Sequence, residues 1–328
     1  MDKYNPPYDI TDDMLVLVSE IMEQLGHLNA INDLEKLPRL RRISRIKSIH
    51  SSLAIENNTL TIAQVEDVIN GKRVLGPQED IQEVKNAFEA YKQIKSLDVF
   101  NVNKLLEVHA VMMKGLVAQV GQFRTTQVGV YNSSGKLVHM GTPQEFIPIQ
   151  MQQLFDWLKE SKSNMLIKSS VFHYEFEFIH PFQDGNGRMG RLWQTALLAK
   201  WKSIFEWIPI ESIIKDNQQQ YYAAIKESTS EGKSNSFILF MLDVINKAIK
   251  DIVKDTRKHY HHINNQIKAL LDIMENYPMS AVEIMELLGL KSRDGFRKNY
   301  LAGALEAGLI VMTIPEKPTS KNQRYYKI

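Results

Sequence analysis

Twelve residues, HPFQDGNGRMGR from His180 to Arg191, limit what this chain can fold into. Apolar residues recur at helical spacing on both sides, over roughly 164–178 before the stretch and through LWQTALLAK after it. Between the two runs stand a histidine, a carboxylate, an asparagine flanked by glycines and two arginines. That is too polar and too glycine-rich for a core strand or a core helix. Glycines at a loop-to-helix junction permit positive φ and close backbone approach. The first N–H groups of the outgoing helix lack internal partners and form an anion site. Arg188 and Arg191, three residues apart, lie as neighbours on one helix face. Guanidinium groups make bidentate phosphate contacts, so a pair of them suits a polyphosphate. Asp184 offers the hard oxygen that Mg²⁺ takes beside phosphates and water. His180, at the loop's entrance, can accept a proton from an incoming hydroxyl, and Phe182 is placed to anchor the loop. Singly, these are an ordinary loop histidine and surface charges. Their joint spacing describes a nucleotide phosphate cradle with a base beside it.

The rest of the chain is an all-α pattern with one interruption. Leu40, Ile43, Ile46, Ile49 and Leu53 mark one helix face, and Thr61 with Gln64 predicts a capping box on a helix that runs to Ile69 and stops at Gly71. Further helices are expected over roughly 79–96, 102–116, 145–160 and 237–254. The interruption, Thr125 to Pro143, has two β-prone runs around Ser133, Ser134 and Gly135 and predicts a hairpin. A length of 328 residues allows one large domain or two ordinary ones, and 44% hydrophobic content is enough for a sizeable core. The net charge of +2 excludes wholesale coating by nucleic acid, so any basic patch must be local. The absence of cysteine excludes disulfides and thiolate metal sites. With no apolar leader and no apolar run near 18 residues, a cytoplasmic protein without membrane contact is expected.

A second unit is expected from Tyr277–Pro278 onward. Ser280–Leu290 predicts a helix, 292–310 a second one, and the remainder two short strands around a polar loop, the order of a winged helix. Lys291, Arg293, Arg297 and Lys298 face one acid, Asp294. They fit a phosphate-facing recognition helix, or equally a solvated face in a module for protein contacts. The basic run from Arg39 to Lys47 falls around an amphipathic helix and reads as a solvated face.

The stretch from His180 resembles the signature of the Fic (filamentation induced by cAMP) family, H-P-F-x-D-G-N-G-R-x-x-R, at every specified position. The resemblance covers roughly residues 80–225 directly, and GQFR, Gly121 to Arg124, also looks like the family's pattern. It implies a helical Fic fold with a β-hairpin flap, followed by a small winged-helix (α+β) domain. The chain then divides into 1–75, 76–265 and 266–328. The implied activity is transfer of AMP from ATP to a Ser, Thr or Tyr hydroxyl of a protein or of the enzyme itself. By position, His180 is the base, Asp184 binds Mg²⁺, and Gly185 to Gly187 hold phosphates with the Asn186 side chain assisting. Arg188 and Arg191 grip the β- and γ-phosphates, and the flap, 125–142, presents the target as an added strand. Tyr221 and Tyr222 either wall the adenine or serve ordinary helix packing.

A second pattern, Ser52-x-x-x-Glu56-Asn57, resembles the family's inhibitory motif, [S/T]-x-x-x-E-[G/N]. It implies an N-terminal helix whose Glu56 pairs with Arg191 and displaces the γ-phosphate. Alternatives on the same scaffold are transfer of another phosphate-containing group, removal of AMP with water positioned by Glu56, and a winged-helix DNA-binding regulator with a nucleotide sensor. A homodimer that modulates Glu56, and contact of 280–328 with DNA or protein, complete the expectations.

Overall fold

The computed structural model describes residues 4–31, 38–131, 137–260, 265–275 and 277–327. Five helices open it: α1 Asp12–Ile31, α2 Pro38–Ile55, α3 Ile62–Ile69, α4 Gln78–Lys92 and α5 Val102–Met112. The capping box that starts α3 is present, with Gln64 N–H donating to Thr61 Oγ1 at 3.3 Å and Thr61 N–H to Gln64 Oε1 at 2.9 Å. The pattern expected to run to 116 stops at Met112, because Gly115 turns the chain with φ +73°. The expected hairpin follows as β1 Gly129–Tyr131 and β2 Leu137–Met140, antiparallel, with Gly129 opposite Met140 and a register shift between Val130 and Tyr131. Its turn, with Ser133, Ser134 and Gly135, lies outside the described residues.

Six more helices follow: α6 Ile147–Glu160, α7 Met165–Ile179, α8 Asn186–Trp201, α9 Ile210–Asp216, α10 Gln218–Glu231 and α11 Asn235–Tyr260. The chain forms two units, one of Met1–Glu23 with Ser44–Ile249, the other of Gln24–Ile43 with Lys250–Ile328. In the first unit α7 and α8 pack on each other at the centre. Every residue of α7 from Leu166 to Glu177 is buried, which accounts for its lack of a polar face. An aromatic core fills in around the pair, Phe155 lying edge-on to Phe172 and Trp193 with centroids 5.4 and 6.0 Å away. Trp193 completes it by donating its indole N–H to the Val99 carbonyl at 3.2 Å. The loop that joins these two helices is therefore clamped at both ends by core.

The second unit carries α12 Asn265–Ile273, β3 Met279–Ser280, α13 Ala281–Leu287, α14 Arg293–Phe296, α15 Ala302–Glu306, β4 Ile310–Met312 and β5 Arg324–Lys327. A π-helical stretch, Arg297–Leu301, joins α14 to α15, so the expected second helix is continuous from Arg293 but ends at Glu306, short of the expected 310, where β4 begins instead. The strands form one antiparallel sheet in the order β3-β5-β4. Ile267, Leu270, Ile284, Phe296, Leu301, Ala304 and Ile310 make its core. The whole is a helical fold with a hairpin and a small C-terminal α+β region. Among the described residues no helix is long and apolar enough to cross a membrane.

Candidate active site

The loop from His180 to Gly185 is built by residues that the signature itself only partly names. Helix α7 ends at His180, which takes a left-handed conformation, φ 53° and ψ 62°, and donates its N–H to the Phe176 carbonyl at 2.9 Å. A side chain with a Cβ pays roughly 1–2 kcal/mol for that conformation, so something must hold it. Arg124 does, from below the flap. Its Nε donates to the His180 carbonyl at 2.7 Å, Nη1 to Thr126 O at 2.7 Å and Nη2 to Thr142 O at 2.5 Å. The Arg124 backbone N–H reaches Pro181 O at 2.9 Å, and Thr142 N–H reaches Ile179 O at 3.2 Å. One buried guanidinium thus ties both feet of the hairpin to the histidine. Gly141 is required beside it, since a Cβ there would lie 2.8 Å from Arg124 Nη2 and 3.2 Å from His180 Cβ.

Phe182 is fully buried, as expected, and stacks on His109 of α5 with centroids 3.7 Å apart. His109 accepts Gly121 N–H on Nδ1 at 2.9 Å, which leaves the proton on Nε2 to donate to Asp184 O at 3.0 Å. Burial lowers its pKa and keeps the ring neutral, as that bonding requires. The Asn186 side chain closes the loop from inside, accepting Phe182 N–H on Oδ1 and donating Nδ2–H to Phe182 O, both at 2.9 Å. Its amide is committed to loop shape rather than turned to a ligand. Gly185 caps α8 at φ 85°, where a Cβ would also strike the Met113 sulfur at 2.6 Å. The first helical bond runs from Met189 N–H to Gly185 O at 2.9 Å, so the N–H groups of Asn186, Gly187 and Arg188 precede the ladder.

The charged residues of the signature are all engaged. Arg188 pairs through Nη1 with Glu83 of α4 and through Nη2 with Asp184 Oδ1 at 3.0 Å. Asn58 Nδ2 donates to the other oxygen of Glu83 at 2.7 Å. Arg191 donates Nε to Ser52 Oγ at 3.1 Å, and Nη2 both to Ser52 O at 3.0 Å and to Glu56 Oε1 at 2.7 Å. Burial by itself would lower the Arg191 pKa, but Glu56, Tyr221 and Glu177 outweigh it and raise it. The Glu56 carboxylate also lies against Gly187, where any Cβ would collide with Oε1. One carboxylate therefore sits on the arginine and on the start of α8 together.

The end of α2 explains why it points there. Asn57 takes φ 69°, Asn58 N–H closes onto Leu53 O at 3.1 Å, and the helix stops one residue before Glu56. A left-handed residue is needed at that place, and glycine and asparagine tolerate it best. Polar contacts seat the helix further back. Ser48 Oγ, Tyr91 OH and Thr195 Oγ1 all donate to the buried Glu211 carboxylate, at 2.8, 2.9 and 3.0 Å.

Among the described residues Asp184 uses only Oδ1 in its contacts, with Arg188 and with its neighbour's N–H, and its side chain is 56% exposed. A hard, accessible carboxylate oxygen with a single protein ligand matches what Mg²⁺ takes when phosphates and water complete its shell. His180 Nδ1 lies 3.3 Å from the Glu177 carbonyl and 3.9 Å from Glu177 Oε2, which favours the proton on Nδ1 and the lone pair on Nε2. Burial, opposed by Arg191 and reinforced by Glu56, pushes the Glu177 carboxyl up to about 8. Tyr221 is buried, its hydroxyl 3.1 Å from His173 Nε2 and its ring against Phe237 at 5.8 Å, so it packs as core. Tyr222 is partly exposed and close enough to Glu56 and Arg191 for both to act on its hydroxyl. Glu83, His109 and Glu177 carry no signature in their own segments. They become site residues only by folding.

These features are those of a Fic domain. The Fic/DOC family matches residues 99–198, and the C-terminal domain of the filamentation-induced-by-cAMP Fic-like proteins matches residues 265–327. A Fic family protein from Desulfovibrio desulfuricans is 42% identical in sequence and superimposes with a TM-score of 0.76, over 99% of this chain and 98% of that one. The chain belongs to the Fic family. The protein adenylyltransferase Fic of Drosophila mojavensis is 30% identical over 212 residues, 61% of this chain. The chain spans about 40% of that relative's length. A relative from Aquifex aeolicus, named as a probable protein adenylyltransferase, is 24% identical over 78% of this chain and 79% of its own. Fic-1 of C. elegans, residues 134–508, shares the fold with a TM-score of 0.63 at 20% identity, over 74% of each chain.

Proposed function

We propose that this protein is a protein adenylyltransferase, moving AMP from ATP to a Ser, Thr or Tyr hydroxyl of a target protein or of itself, and that Glu56 holds it inhibited. The observation that carries the proposal is the double seat of the Glu56 carboxylate, 2.7 Å from Arg191 Nη2 and against Gly187. An acid is held there on an arginine and a helix start, which is an anion site. The names of the relatives supply the anion's identity as a nucleotide.

In the reaction, the target segment pairs with the flap, 125–142, through main-chain bonds that place its hydroxyl beside His180. His180 Nε2 takes the proton as the hydroxyl oxygen attacks the α-phosphorus and the bond to the β-phosphate breaks, releasing pyrophosphate. The N–H groups at the start of α8 hold phosphate oxygens, and Arg188 and Arg191 hold the outer phosphates. Arg188 enters that role already oriented by Glu83. Mg²⁺ bound at Asp184 would supply charge neutralisation of the phosphates there. Tyr222, with Tyr221 behind it, would line the adenine side. With Glu56 in place, Arg191 is denied to the γ-phosphate, and ATP binds out of line for attack. Residues 1–75 are then the inhibitory region, 76–265 the catalytic domain and 266–328 a winged-helix module. The test is label transfer from α-labelled ATP to protein by the Glu56→Gly form, with and without His180→Ala. Transfer that survives His180→Ala would sink the role of the base.

A second role is favoured by one observation. Arg293, Arg297 and Lys298 are exposed on one helical segment with Lys291 exposed in the loop just before it, and Lys317 and Lys321 are exposed between β4 and β5. Two basic elements of this kind suit the helix and wing with which a winged helix would meet a duplex. Duplex affinity measured by anisotropy should fall with salt with a log–log slope of about −3 to −4 if four of these cations meet phosphates. Binding that ignores Arg293→Glu with Arg297→Glu would assign the surface to protein contacts instead.

A further inference from the structure

The chemistry proposed above leaves one buried acid of the site without a task. Glu177 stands on α7 one turn before His180, and only 7% of its side chain is exposed. Its Oε1 has no hydrogen-bond partner among the described residues, and it lies so close to α8 that a Cβ on Gly190 would be 2.6 Å away. Its Oε2 is 3.9 Å from His180 Nδ1. A buried carboxyl oxygen without a partner is destabilising, and more so if ionised. Leaving it there beside the base calls for a reason. Glycine at 190 is the concession that lets the acid fit, since α8 has no room for both a side chain and the carboxyl.

The groups that face Glu177 come from every element around it. They are His173 and His180 on α7, Arg191 on α8, Glu56 just past α2, and Tyr221 and Tyr222 on α10. Two carboxyls thus share one arginine. While Glu56 holds Arg191, ionising Glu177 would set a second buried anion near the first with no hydrogen bond to stabilise it. Once Glu56 leaves, and until a phosphate takes its place on the guanidinium, that repulsion disappears and the attraction of Arg191 remains.

We propose that Glu177 positions the base and couples it to the inhibitory helix: its carboxyl stays protonated while Glu56 holds Arg191, and ionises against His180 Nδ1–H once Glu56 withdraws. Its proton goes to solvent. The resulting carboxylate fixes the ring with the lone pair on Nε2 and stabilises the imidazolium formed when the target's proton arrives. The role of His180 in this step rests on the adenylyltransferase reading; the coupling of the charges does not.

The experiment is histidine titration by NMR on the full chain with labelled imidazoles, the His180 signal being identified by its loss in His180→Ala. In the Glu56→Gly form, adding Glu177→Gln should lower the His180 midpoint by about one pH unit or more, as expected for losing an anion within about 4–6 Å. In the wild type the same substitution should move it far less, because the carboxyl there is already neutral. Equal His180 midpoints in Glu56→Gly with and without Glu177→Gln overturn the proposal. Should Glu177→Gln fail to fold, the carboxyl signal of Glu177 itself, assigned through Glu177→Asp, must titrate at lower pH in Glu56→Gly than in wild type, and an unchanged midpoint overturns it equally. Label transfer measured on the same samples separates the two ideas. Absent transfer with a shifted His180 midpoint refutes the enzyme and keeps the coupling, and active transfer with an unshifted midpoint does the reverse.

Discussion

Replacing Glu56 by glycine tests the site at its most contested contact. The carboxylate accepts from the buried Arg191 at 2.7 Å, with Ser52 supplying two further acceptors to the same guanidinium. A hydrogen bond to a charged group contributes about 1.5–3 kcal/mol, so ATP that must displace this one is handicapped by roughly 10- to 150-fold. If ATP binds beside Glu56 instead, a displacement of about 1 Å at the α-phosphate costs on the order of 100-fold. Both routes give the same expectation, a rise of about 100-fold in AMP incorporation for Glu56→Gly. Glu56→Gln, which keeps shape and removes charge, should fall between the two. The substitution also strips a counter-charge from a buried cation, which lowers stability by about 1–3 kcal/mol in the absence of ligand. Adding ATP should therefore raise the Tm of Glu56→Gly more than that of the wild type, since the γ-phosphate replaces the lost carboxylate. The assay is incorporation from α-labelled ATP into protein, read by gel and mass spectrometry, with thermal shift on the same samples. Equal incorporation by the wild-type and Glu56→Gly forms would refute the inhibitory role.

Two further outcomes follow from the surroundings of the loop. Arg124→Ala leaves the carbonyls of His180, Thr126 and Thr142, the last of them buried, short of a donor and should destabilise by about 1–3 kcal/mol. It should also abolish transfer in the Glu56→Gly background; a chemical-denaturation midpoint close to wild type would show that the guanidinium is not the clamp. Glu175, on α7, accepts from Tyr4 OH at 2.8 Å, and burial, opposed by that bond, raises its pKa from 4.5 to about 7. The folded protein keeps this proton where the unfolded chain has lost it, so the contribution is full below about pH 4.5 and is lost as pH rises through 7. Over that window the urea midpoint of the wild type should fall relative to that of Glu175→Gln, a comparison that cancels the opposite slope from the buried neutral His173 and His109. An unchanged difference would show that Glu175 is already ionised in the fold.

Much of this protein was determined by order along the chain. The helical runs before and after His180–Arg191, the glycines that a φ of 85° demands, the capping box at Thr61 and the hairpin limits all follow from local sterics and periodicity. Local rules also explain why Glu56 is followed by Asn57, because a helix that stops there needs a left-handed residue. The tertiary structure decided which charges meet. Glu83 sits in an amphipathic helix like many others, yet packing brings it to Arg188, 105 residues away. His109 and Arg124 shape the loop from elements 75 and 56 residues distant, through bonds to carbonyls that have no side-chain signature. The amide of Asn186, which chemistry alone would offer to a phosphate, is spent on Phe182 because the loop folds back upon itself. Tyr221 and Tyr222 are neighbours in sequence, but helical geometry turns one into the core and the other toward the site. Backbone preference acts over a few residues and can be read from them. The pairing of Arg191 with Glu56 spans 135 residues, and only the packing of α2 against α8 brings it about.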